Sequence, residues 1–128
     1  MLGLPTLRSR HDLAQHFFVS AQLTALVGAG LAETAGIAKE LHDAQTDSGF
    51  SFTDLCADLA GVAFAKRVLE RELSLTDLSS SFQVSDHLPD LAGLRDGIPH
   101  ADFVREFGSP SDPRFLKVVA EIRGRMKD

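Results

Sequence analysis

An all-α fold is what this sequence predicts, a compact single-domain bundle of about four to six helices with a loop-rich segment around residues 82–99. Three observations carry that expectation. Apolar residues return at helical spacing, as in the stripe Leu55, Leu59, Val62 and Leu69. Helix signals punctuate the chain: a capping pattern at Ser51-Phe52-Thr53-Asp54, a stop at Gly108 and a start at Asp112-Pro113. No stretch alternates apolar and polar residues as a half-buried strand does. At 128 residues the chain has the size of one domain, 1–128, able to bury a core without disulfides.

Taken in order, Ser9 reads as the N-cap of a helix from Arg10 to Val27. Its apolar surface, with Leu13, Phe17, Ser20, Thr24 and Val27 on one stripe, is wide enough for a central helix with neighbours on several sides. Gly28-Ala29-Gly30 reads as a break or a tight contact, followed by a helix from Leu31 to Ala44 and a turn at Asp47-Ser48-Gly49. The next helix runs from Phe52 to Leu73, with Phe50 stapled onto Leu55. Ser74–Ser81 suits a short helix. Pro89, Gly93, Gly97 and Pro99 then break the pattern, while Leu88, Leu91, Leu94 and Ile98 lie on the body. A helix from His100 to Phe107 ends at Gly108. The last one runs from Pro113 to Lys127, with Phe115, Val118, Val119 and Ile122 inward and basic residues at its end.

Composition narrows the function. A net charge of −5 and a pI near 5.4 leave no basic footprint, so nucleic acid is not an expected partner. Cys56 is the sole cysteine, which excludes a disulfide or a cysteine zinc site within one chain. All nine aromatics are Phe, spent on packing rather than polar recognition. The start, MLGLPTLRSR, shows no signal peptide. Leu13–Ala32 lacks Asp, Glu, Lys and Arg over about the length that spans a bilayer. Gln15, His16, Ser20, Gln22 and Thr24 interrupt it, so a buried helix is favoured over a membrane contact.

The candidate chemistry sits in Lys39–Asp58. Asp12 and His16 share a helix face, as do Glu40 with Asp43 and Asp54 with Asp58. If the first three helices pack together, His16, Lys39, Glu40, Asp43, Asp54 and Asp58 converge on one polar cluster. His16 with the four carboxylates offers the ligand types that hold a divalent metal in a helical bundle. The plainer alternative is a buried network in which Lys39 or His16 neutralises carboxylates, Asp54 caps a helix and no cofactor is present. Asp54 alone reads as a cap, His16 as a satisfied core histidine and Cys56 as a small buried thiol. His11, His42, His87 and His100 read as exposed.

The order His16-Phe17, Lys39-Glu40 with Asp43, Gly49-Phe50-Ser51, Asp54-Leu55, Ala57-Asp58 and Gly61 resembles the YfiM-type predicted bacterial lipoproteins over about residues 11–65. The Asp12…His16 spacing is also similar to the VanZ-like membrane family. The first resemblance implies a bacterial cell-envelope protein of uncharacterised biochemical role and hands over no enzyme activity. The chain departs from it in showing no lipobox cysteine and no export signal. Two functions fit these residues. One is a structural or interaction module of the cell envelope, with a protein partner or self-association. The alternative is a metal-dependent hydrolase or small-ligand binder built on the His/carboxylate cluster.

Overall fold

The computed structural model describes residues 3–45, 49–70 and 86–126, with side chains from residue 12 onward. Among these residues the protein is all-α: α1 (Gly3–Val27), α2 (Ala29–Ala44), α3 (Phe52–Leu69), α4 (His100–Phe107) and α5 (Pro113–Arg125). The expected short helix at 74–81 lies outside the described residues, as do Asp47 and Ser48 of the expected turn.

The central helix is α3, not α1. Ten α3 residues are buried, from Phe52 through Ala65, because both of its faces are covered. One face meets α1 and α2; the other meets the aromatic core. On α1, Leu13, Phe17, Ser20 and Thr24 are buried as their spacing predicts, yet Phe18, Val19, Leu26 and Val27 are exposed. Leu69, expected in the core stripe of α3, is also exposed, at the last residue of that helix. Helix α1 begins at Gly3, so Ser9 lies inside it and not at its N-cap. Pro5 falls in the first turn, where its missing N–H costs no hydrogen bond.

Gly28 alone joins α1 to α2. Its φ of 93° lies in the left-handed region that favours glycine, and α2 folds back along α1 from it. Helix α3 then crosses α1 at close range: a Cβ on Gly61 would stand 2.1 Å from the Phe17 carbonyl oxygen. Only glycine permits that approach.

The other side of α3 carries an aromatic core. Phe50 stacks on Phe103 at 4.3 Å and meets Phe52 at 4.9 Å, Phe52 meets Phe107 at 4.9 Å, and Phe115 closes the group 5.9 Å from Phe50. Each such ring pair adds about 1 kcal/mol beyond area burial. Leu55, Cys56 and Leu59 of α3, Ile98, and Val119 and Ile122 of α5 complete it. The sequence places Phe50 as a staple for Leu55; the two share this buried core, where Phe50 also meets rings from α3, α4 and α5.

The 86–99 segment is fastened by its backbone. Phe50 N donates to the Ile98 carbonyl at 2.7 Å and Ile98 N returns the bond at 2.8 Å, while Phe52 N donates to Arg95 O. Gly49, at φ 74°, has no room for a Cβ, which would sit 2.7 Å from the Gly97 carbonyl carbon. Arg125 Nη1 donates to the carbonyls of Asp90 and Ala92, and Arg123 forms a two-pronged pair with Glu33 on α2. These arginines, read from sequence as dipole partners, tie α5 to the rest of the body. The Asp112 cap and Pro113 start of α5 stand as expected, with Asp112 Oδ1 accepting from Arg114 N at 2.8 Å.

Candidate functional site

Three helices bring His16 to the centre of three carboxylates. Helix α1 supplies His16 and Ser20, α2 supplies Glu40, and α3 supplies Asp54 and Asp58 one turn apart on the same face. His16 Nδ1 lies 3.0 Å from Asp58 Oδ1 and 3.5 Å from Glu40 Oε2, while Nε2 lies 3.4 Å from Asp54 Oδ2. Ser20 donates to the same Asp58 oxygen at 3.2 Å. Glu40 is 1% exposed and Asp58 5%, so their charge cannot be left to water.

The cap of α3 explains how Asp54 comes free for this site. Ser51 Oγ accepts from Asp54 N at 3.0 Å, the forward half of the capping box. The Asp54 carboxylate points instead at the imidazole of His16. The cap is Ser51. Lys39 does not neutralise the buried group; it pairs with Asp43 one turn along α2, at 2.9 Å and at the surface. Cys56 is fully buried, with burial pushing its thiol up to about 11. His42 and His100 are exposed, but His87 is half-buried, its ring 4.7 Å from that of Phe64. His11 lies outside the described side chains.

Protons hold the cluster together. The hydrogen bond to Asp58 raises His16 to about 9; burial opposes the rise and the nearby charges of Asp58, Asp54 and Glu40 add to it. Burial raises Glu40, also to about 9, helped by the charge of Asp58 and by a hydrogen bond to Asp58. Burial also raises Asp54. As plain carboxylates, Glu40 Oε2 and Asp58 Oδ2 would be buried with no donor to meet. A proton on Glu40 makes it the donor for Asp58. At neutral pH His16 and Glu40 therefore each hold a proton.

A pH dependence follows. Both groups have folded-state values above their unfolded ones, so the folded protein holds more protons than the unfolded chain between about 4.5 and 9. The His16 contribution is complete below about 6.5 and lost as pH rises through about 9. In the presence of chelator, thermal unfolding is expected at a higher Tm at pH 6 than at pH 8.5, and the Glu40→Gln variant should flatten the difference. A wild-type Tm that rises over this range would contradict the assignment.

A polar cavity of about 340 Å³ opens beside the cluster, lined by Asp12, His16, Glu40, Asp43, Asp54 and Asp96 among others. Asp96 joins it from the 86–99 segment, a participant that helix spacing could not reveal. His16, Glu40 and Asp54 each offer a ligand atom, all within 4.8 Å of one another. That set has one imidazole, two carboxylates and an open side, the arrangement of catalytic metal sites that keep a position for water or substrate. Asp58, which holds Nδ1, leaves Nε2 facing Asp54 and does what an outer carboxylate does for a ligating histidine.

Scans of family models, characterised proteins and solved structures each found no match to this chain.

Proposed function

We propose that this protein binds a divalent cation through His16, Glu40 and Asp54, with Asp58 orienting His16, and that the bound cation serves a hydrolytic reaction. The observation that carries this reading is the buried Glu40 Oε2, which finds no donor unless the site takes up a proton or a cation. Charge supports it. With Asp54 and Asp58 as carboxylates, protonated His16 and Glu40 leave the cluster at −1 (+1 + 0 − 1 − 1). Exchange of those two protons for one divalent cation leaves the same −1 (0 − 1 − 1 − 1 + 2). The buried charge is unchanged, so the exchange carries little added desolvation cost. Asp12, Asp43 and Asp96 at the mouth draw cations inward.

A cation held there supplies a water of lowered pKa and polarises a carbonyl or phosphoryl oxygen. The mixed imidazole and carboxylate donors favour Mn, Fe(II) and Zn over Ca and Mg. Elemental analysis of the purified protein, followed by thermal shift over these five ions, tests the proposal. Stoichiometric metal, or a Tm rise of about 10 °C with one ion at a hundredfold excess over its Kd, is the expected result. Metal-free protein that responds to none of the five would remove it.

A second reading has its own observation. The His16–Asp58–Ser20 bonds tie α1 to α3 whether or not a cation is present, as a structural module would use them. Such a module, which the YfiM-type resemblance would assign to the cell envelope, would lose stability on Asp58→Asn and show no response to cations. Neither reading needs a membrane span, and among the described residues no helix is long and apolar enough to cross a membrane.

A further inference from the structure

Helices α1, α2 and α3 and the 86–99 segment each bring an aspartate to the polar cavity: Asp12, Asp43, Asp54 and Asp96. Among the described residues that line it there is no Lys and no Arg. Lys39 borders a separate apolar groove along α2, between that helix and α1, and its ammonium lies 2.9 Å from Asp43. Arg95, next to Asp96 in the chain, pairs with Glu106 instead. Asp12 and Asp96 are left with no cation beside them among the described residues. The N-terminus of α3, which would otherwise draw an anion, is spent on the protein itself: Phe52 N donates to Arg95 O, Asp54 N to Ser51 Oγ and Leu55 N to Ser51 O. Glu40, 1% exposed, lines the same cavity with an Oε2 that meets no protein donor.

Resting on the cation reading above, we propose that the substrate of this site is an amide whose acyl part carries an ammonium group, its carbonyl oxygen at the cation and its ammonium against Asp12 and Asp96. The sign of the field does not depend on a charged imidazole. With the cation bound and His16 neutral the cluster keeps its charge of −1, and Asp12 and Asp96 add two more negative charges at the mouth. A phosphate ester would bring further negative charge into that field and find no arginine or lysine to hold it. An ammonium group brings three N–H donors to carboxylates that have none. The cavity volume of about 340 Å³ lies at the small end of the range for small-molecule sites, which suits a compact substrate. Water completes the reaction. Its oxygen bonds to the carbonyl carbon, the C–N bond breaks, and both of its protons leave on the amine, giving a carboxylate and an ammonium product.

The test uses the full chain loaded with Mn(II), titrated with the hydroxamates of glycine, β-alanine and 4-aminobutyrate, each beside its N-acetylated form, and with inorganic phosphate. A hydroxamate presents a carbonyl oxygen to the cation, and the three chains vary the distance from it to the ammonium group. Binding is read from the water-proton relaxation of the bound Mn(II), at ligand concentrations that leave the ion on the protein. At least one of the three ammonium compounds is expected to bind at least tenfold more tightly than its N-acetylated form and than phosphate. In the double variant Asp12→Asn, Asp96→Asn, altered at two exposed positions, the ratio between that compound and its N-acetylated form should fall to within about twofold of one. No preference for any ammonium compound, tightest binding by phosphate, or a ratio that survives the double variant overturns this proposal and leaves the cation reading standing, since Mn(II) is bound in each case. A chain that takes up no Mn(II) overturns both.

Discussion

Gly61→Ala is expected to cost this protein about 3 kcal/mol or more, enough to lower Tm by about 10 °C. The added methyl would lie 2.1 Å from the Phe17 carbonyl oxygen, 2.9 Å from its carbonyl carbon and 3.1 Å from its Cα. These are backbone atoms of a helix, not the end of a flexible side chain, so α1 and α3 must separate to admit it. Separation breaks more than packing. Phe17 is fully buried, and His16 beside it is the imidazole α1 contributes to the cluster. Gly124→Ala is the matched control: it is helical, with nothing within 4 Å of its Cβ position, and should gain about 0.5–1 kcal/mol from helix propensity alone. Denaturant unfolding of both variants checks the contrast. A Gly61→Ala protein as stable as wild type would mean that α1 does not dock on α3 this closely.

Asp58→Asn and Glu40→Gln, two single-atom exchanges in one cluster, are expected to behave oppositely. Asp58 accepts from His16 Nδ1 and Ser20 Oγ, and its charge is the nearest counter-ion to a half-buried imidazolium. An amide removes that charge and can turn two N–H donors toward groups that are themselves donors. A loss of about 3 kcal/mol is expected, the scale for removing one partner of a buried pair. Glu40 already holds its proton at neutral pH, because burial and the Asp58 charge push it up to about 9. Glutamine copies that neutral form, so the cation-free variant should lose less than about 1 kcal/mol and yet lose most of its affinity for divalent ions. Melting curves with chelator and with Mn(II) give both quantities. Equal damage from the two substitutions would show that Glu40 is ionised in the folded protein.

Much of this site was legible because helix spacing is a strict geometry. Asp54 and Asp58 had to share a face of α3, and His16 had to lie beside Phe17 and Ser20 on the buried stripe of α1. Caps were legible for the same local reason: Ser51, Gly108 and Asp112-Pro113 act within one turn of themselves. What failed depended on distant partners. Lys39 was a candidate for the buried cluster but found Asp43 four residues on, at the surface. Asp54 resembled a cap until α1 brought an imidazole to it. Ser9 looked like a helix start, yet no local feature stops a helix from beginning earlier, at Gly3. The close approach of Gly61 to the Phe17 backbone, the arrival of Asp96 in the polar cavity and the groove along α2 leave no periodic trace, since each is made by two segments meeting.

The central claim, that a divalent cation takes the place of the protons on His16 and Glu40, is tested most directly by calorimetric titration of chelator-treated protein with Mn(II) at pH 7. Run in two buffers of different ionisation enthalpy, it counts ions and protons together. One ion bound per chain with release of about two protons, abolished by Glu40→Gln, is the predicted result. No binding, or binding that releases no protons and survives Glu40→Gln, would contradict it and leave the cluster as a proton-sharing tie between helices.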